Sequence, residues 1–210
     1  MIFRSLAALV FVAGAALLVT MVAMLGMAPG VPLESNHLRN MKNRLDTPNS
    51  YDALTLAEYH GLPSGASVGE YSAHERRAVQ LEGHIQRMLL AGDGDLHLEL
   101  DPAVVTGPVR DSAYVPCEIT PGFRREAARW KFEALASVFR PRHGTATEWT
   151  GGPQRVRVSG WLLYDFQYAR LPSPWSLEHD APRMSGWEIH PVTRIEVWDT
   201  ARLAFVEVPR

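Results

Sequence analysis

Two short segments set a histidine among carboxylates at alternating positions: Asp93-Gly94-Asp95-Leu96-His97-Leu98-Glu99-Leu100, and Trp187-Glu188-Ile189-His190-Pro191-Val192 near the other end of the chain. In an extended strand residues i and i+2 share a face, so His97 stands beside Glu99 and Glu188 beside His190, with the leucines, Trp187 and Ile189 turned the other way. Such strands are expected to be half core and half display. Imidazole and carboxylate together suit ligation of a divalent cation, general acid and base catalysis, or a hydrogen-bonded network that closes a small fold. Asp95, His97, Asp165, Glu188 and His190 are the candidate binding residues, with His97 and His190 the candidate metal ligands and Asp165 a candidate carboxylate partner for His190.

The pattern stops short of an enzyme signature. There is no HExxH or paired-cysteine spacing, and Ser159 and Ser185 lack a G-x-S-x-G elbow. Cys117, the single cysteine, reads as a small strand residue and cannot form an intrachain disulfide. Gly92-Asp93-Gly94 and Gly151-Gly152 lack the lysine of a phosphate loop and read as turns. No catalytic residue is assigned, and the chain reads as a binding module rather than an enzyme. No cofactor is expected, a divalent metal being the one that the histidine and carboxylate types admit.

Several elements must position these residues. Val79-Gln80-Leu81-Glu82-Gly83-His84-Ile85 alternates apolar and polar, the mark of a half-buried strand, and the turn at Gly92-Asp93-Gly94 makes it a hairpin with the Asp95–Leu100 strand. A third strand runs over Tyr114–Thr120. Phe123, Ala127, Trp130, Leu135 and Phe139 then predict one amphipathic helix over Pro121–Phe139, stopped by Pro141. Strands over Arg155–Phe166 and Trp187–Val197 follow, with Gly83 and Gly160 at expected bends. Asp52–Leu62 reads as a short helix or turn packed on this domain. Trp130, Trp149, Trp175, Trp187 and Trp198 are expected in core or loop packing.

Five strands with one helix between the third and fourth predict a mainly β fold, an OB-like barrel over residues 78–210. The segments Asp93-Gly94-Asp95-Leu96-His97-Leu98, Leu163-Tyr164-Asp165-Phe166 and Glu188-Ile189-His190-Pro191-Val192 also resemble motifs of a bacterial family of exported or membrane-anchored small domains with no assigned activity. Thr55-Leu56-Ala57-Glu58-Tyr59 with Leu62-Pro63 is similar to the segment that precedes its barrel. The resemblance implies a fold and no reaction.

Leu6 to Ala28 holds no charged residue; as a helix it would run about 34 Å, enough for a bilayer core of about 30 Å. Residues 1–28 are therefore expected to form a transmembrane anchor, or a signal segment that leaves the domain secreted if cleaved. Residues 29–77 read as a tether and N-terminal extension. Arg39, Lys42 and Arg44 after the apolar run oppose export by the positive-inside rule, but they mix with Glu34 and Asp46, and the short N-tail favours an extracytoplasmic domain. The net charge of -2 carries no block of like charge that would mark a polybasic partner site. The expected partners are the membrane, through the N-terminal helix, and a protein or small-molecule ligand. Arg155, Arg157 and Trp161 share one strand face, so a single-stranded nucleic-acid binder is an alternative, disfavoured by the carboxylates on neighbouring strands. A metal-assisted hydrolase built on His97 and His190 is the other.

Overall fold

The computed structural model describes residues 31–65, 67–103, 113–127, 129–141, 153–169 and 183–210. The expected membrane segment at 1–28, the Gly151-Gly152 turn, Trp149 and Trp175 lie outside the described residues. Among the described residues no helix is long and apolar enough to cross a membrane. The described residues from Asn40 to Arg210 form one compact unit.

A helix, α1 (Val31–Lys42), stands where the sequence reads as an irregular tether. Pro32 falls in its first turn, where a missing N–H leaves no hydrogen bond unmade. The extension beyond it is built from β1 (Asp52–Ala53), α2 (Leu56–His60) and α3 (Val68–His74). Both helices begin with a capping box: the Thr55 amide donates to Glu58 Oε2 at 2.8 Å, and the Ser67 amide to Glu70 Oε2 at 2.8 Å. Their buried tyrosines, Tyr59 and Tyr71, join the barrel core. The Tyr59 hydroxyl donates to the Trp187 carbonyl, and Trp187 Nε1 donates to the Pro63 carbonyl at 2.9 Å.

The barrel strands are β2 (Ala78–Leu90), β3 (Leu96–Asp101), β4 (Val115–Ile119), β5 (Arg155–Tyr164) and β6 (Trp187–Asp199). β2 pairs antiparallel with β3, and β3 with β4. β4 runs parallel to β6 at Cys117↔Ile189, β6 antiparallel to β5, and β5 returns to β2. The ring β2-β3-β4-β6-β5 is thus a closed five-stranded mixed barrel, compatible with an OB-like fold. Its interior is filled by alternate residues such as Leu81, Leu98, Cys117, Val158 and Ile189.

Two glycines make closure feasible. β2 gives its first half to β5 and its second half to β3, and His84 pairs with both Arg155 and Asp101. At this crossing a Cβ on Gly83 would stand 2.5 Å from the Asp101 carbonyl oxygen. Gly160 sits between two register shifts of the β5–β6 pair, where a Cβ would meet the Pro191 carbonyl and Ile189 within 3.0 Å. The bulge in β2 itself falls at Gln86 rather than at Gly83, between Ile85 and Arg87.

The expected single helix is two: α4 (Pro121–Glu126) and α5 (Phe132–Phe139). Ala127 leaves helical geometry with φ -111° and ψ 90°, and the chain then buries Trp130, whose Nε1 donates to the Val208 carbonyl at 3.2 Å. Tertiary burial of one tryptophan overrides a continuous helical period here. A four-residue α6 (Phe166–Ala169) follows β5. β7 (Ala204–Glu207) adds an antiparallel hairpin to β6 that the alternation pattern did not predict. Its turn is closed by Asp199 Oδ1, which accepts from the amides of Ala201 at 2.9 Å and Arg202 at 3.1 Å.

Gly160→Ala is expected to cost about 1–3 kcal/mol in equilibrium denaturation, because the new methyl meets backbone that cannot step aside. Gly92→Ala, with nothing within 4 Å of its Cβ position, should leave the midpoint unchanged.

Candidate functional site

Strand register gathers the polar residues into a row. His97 on β3 is paired directly with Glu118 on β4. The parallel pairing of Cys117 with Ile189 then places Glu118 next to Glu188 and His190 on β6, all opposite the apolar side chains of the same strands. Asp95 enters from the β2–β3 turn, where its amide bonds to Asp93 Oδ1 at 3.1 Å and the Ala91 amide to the Asp95 carbonyl at 2.8 Å. Asp165 closes β5: its amide bonds to the Gly186 carbonyl at 2.9 Å, and its Oδ1 accepts from the Gln167 amide at 3.0 Å at the start of α6.

His190 is the centre. Its Nδ1 lies 3.1 Å from Glu118 Oε2 and 3.3 Å from Glu188 Oε2, and its Nε2 faces Asp95 Oδ2 at 3.6 Å. The other oxygen of Glu118, Oε1, is 3.6 Å from His97 Nε2. Arg183 pairs with Glu188 at 2.5 Å, and Lys42 Nζ with Asp165 Oδ2 at 2.9 Å. Of the residues singled out from the sequence, Asp95, Glu188 and His190 meet directly, while His97 reaches them through Glu118. Asp165 stands with Lys42 and not with His190, so the expected aspartate-histidine couple does not form.

The expected display face is not on display. Glu188 and His190 have no exposed surface, and Glu118 is 6% exposed. Both faces of β4 and of the first half of β6 are buried, so these strands are core on one side and a charged interior on the other. Three residues of this interior escaped the sequence reading. Glu118 had a signal: it is the one charged residue within Val115-Pro116-Cys117-Glu118-Ile119. Lys42 sits in a stretch without a sustained period, and Arg183 comes after a proline-rich loop; no pattern marks either.

The electrostatics are set by burial and pairing. For His190, burial alone would lower the pKa, but hydrogen bonds to Glu118 and Glu188 and their charge raise it to about 10, so it stays an imidazolium at neutral pH. Burial would raise Glu118, yet the His190 hydrogen bond and charge, with His97 and Lys42, hold it far below the usual carboxylate range. Glu188 is likewise lowered, burial and Glu118 being outweighed by Arg183, His190 and Lys42. Asp95 goes the other way: burial raises it to about 7, against the pull of His190 and with the push of Glu118 and Asp93. Burial and Glu188 raise Asp165 against the pull of Lys42. Burial would lower Lys42 and Arg183; Glu188 is the leading opposing charge for each, and both end up raised. The Cys117 thiol is pushed well up by burial and by Glu118 and Glu188, which removes it as a nucleophile.

The arginine face on β5 is occupied by its own neighbours. Arg155 and Arg157 both pair with Glu82, at 2.5 and 2.8 Å. Arg157 lies 3.9 Å from the Phe205 ring centroid and Arg155 4.8 Å from that of Trp198. Trp161 is covered by Arg44 at 3.7 Å. Trp130 and Trp187 are core residues.

No protein-family model and no curated protein matches the chain, so the bacterial family suggested by the motifs is not shown. Among solved structures, the chain is similar to an aspartyl tRNA synthetase from Entamoeba histolytica at 14% identity and a TM-score of 0.30, over 80% of this chain and 27% of that one. A likeness at that score carries no argument about fold or activity.

Asp95 confers a pH dependence. Its native pKa of about 7 exceeds the ordinary 3.8, so between these values the folded state binds more protons than the unfolded one, and stability falls as pH rises through that window. Asp95→Asn, which keeps the shape and removes the charge, should gain about 1–3 kcal/mol over the parent at pH 8 and lose that advantage below pH 4, read by denaturation in EDTA. A difference independent of pH would refute the burial account of Asp95.

Proposed function

We propose that this chain is a membrane-anchored, extracytoplasmic OB-like module that binds a protein or small-molecule ligand at the rim of the β3–β4 face, where the β2–β3 turn and the ends of the β5–β6 segment meet it. The observation that supports it is convergence: Asp95 from the loop between the first and second barrel strands, and Asp165 and Arg183 from the two ends of the segment between the fourth and fifth, meet over β3 and β4 at Glu118 and Glu188. In OB-type barrels this strand face and these two loops are where ligand is held. The cluster fixes both loop ends by ion pairs, which lowers the ordering cost of binding there. The uncharged run over 6–28 supplies the anchor, and its short N-tail favours export of the domain C-terminal to it. The nucleic-acid reading has less footing, because Arg155 and Arg157 are engaged by Glu82.

Two measurements test this. In spheroplasts carrying the full chain, added protease should degrade the domain; complete protection would overturn the exported placement. In vivo photo-crosslinking from a benzoylphenylalanine placed at Arg87, on the β2 edge beside β3, should trap a ligand that the same probe at Arg155 does not. Crosslinks from Arg155 alone, or to oligonucleotide, would move the binding face to β5.

A further inference from the structure

Two close ion pairs flank His190: Lys42 with Asp165 at 2.9 Å and Arg183 with Glu188 at 2.5 Å. Beside them stand Asp95, Glu118 and His190, two carboxylates with one imidazole in a water-poor setting; once His190 gives up its proton the three carry a formal charge of about -2. One ligand atom from each of the three lies within 4.8 Å of the others. His190 Nε2, on a ring with no exposed surface, makes no hydrogen bond. It points at Asp95 Oδ2 across 3.6 Å, beyond hydrogen-bonding length.

We propose that Asp95, Glu118 and His190 form a binding site for one divalent transition-metal cation, with zinc the best fit. Three observations agree. Bonds of about 2.1 Å at a tetrahedral angle set two ligand atoms about 3.4 Å apart, close to the Nε2 to Oδ2 gap. The other ring nitrogen, Nδ1, lies 3.3 Å from Glu188 Oε2, a carboxylate outside the ligand set that orients a metal-ligating histidine through its second nitrogen. The ion takes over the charge-balancing role of the proton that His190 holds in the metal-free chain, so zinc binding releases that proton. One imidazole with two carboxylates admits zinc or manganese, and the three-ligand count leaves a fourth position open. The ligand atoms lie up to 4.8 Å apart against the about 3.4 Å of a tetrahedral pair, so binding draws the three side chains together by about an ångström. His97, the other histidine singled out from the sequence, lies on the far oxygen of Glu118 and outside this set.

The site shares a face with the ligand-binding reading above but does not rest on it, since its test needs no ligand. Full-length chain in detergent is stripped with EDTA, exposed to Zn²⁺ at micromolar concentration, and assayed for bound zinc and thermal midpoint. The expected result is one zinc per chain with a raised midpoint, because an ion that binds only the folded state stabilises it. Asp95→Asn, which lies at a turn and keeps the fold, should weaken zinc binding at least about tenfold. His84→Gln, on β2 beside Arg155, should bind as the parent does. Cobalt substituted for zinc should give visible absorption of a tetrahedral centre that Asp95→Asn abolishes. Absence of stoichiometric zinc, or binding by Asp95→Asn as tight as the parent's, would overturn the site.

Discussion

The imidazole of His190, without exposed surface, is held among carboxylates from β6, β4 and the β2–β3 turn. Much of the polar architecture depends on this one ring. It neutralises Glu118 and Glu188, which face each other across adjacent strands, together with Lys42, Arg183 and His97. It also brings Asp95, and with it the hairpin turn, onto the strand row. Removing one partner of a buried pair of this kind costs about 3–5 kcal/mol, because the remaining charge is left stranded away from water. Well-packed apolar residues could replace such a cluster at little or no cost in stability. A charged interior of this kind is therefore an arrangement whose purpose is sought in specificity rather than in stability.

Barrel closure is what brings the members together. His97, Glu118 and His190 are separated by long stretches of sequence, and they become neighbours because β4 pairs antiparallel with β3 on one side and parallel with β6 on the other. That parallel contact exists only if β5 and β2 complete the ring, which requires Gly83 and Gly160 where the backbones approach within a side chain's width. Steric demands at two glycines thus set the register that the electrostatics use. On the far side of the barrel Glu82 and Glu196 gather Arg155, Arg157 and Arg194, so the two polar faces are separately balanced.

Much of the fold was legible because alternation is a local signal: the period-two runs at Val79–Ile85, Asp95–Leu100 and Arg155–Tyr164 each announce a strand with its own inside and outside. The break between α4 and α5 was not, since the burial of Trp130 against the C-terminal segment is a tertiary event. β7 was missed because its four residues carry too short a pattern. For the site, alternation placed Asp95, His97, Glu188 and His190 correctly on the face opposite the core but could not say that this face is covered. A strand shows which residues share a side and never what lies over them. Glu118 was legible as a charge within an apolar run; Lys42 and Arg183 were not, because a single cation gains its meaning only from carboxylates brought to it by the fold.

The central claim is that His190 is an imidazolium locked between Glu118 and Glu188. Nitrogen-15 chemical shifts of labelled histidine in the metal-free full chain, assigned by loss of one signal in His190→Gln, test it directly. Both ring nitrogens of His190 are predicted to keep imidazolium shifts from pH 5 through pH 8 and to titrate near pH 10. A His190 that titrates near the ordinary 6.5, with a neutral ring at pH 8, would contradict it.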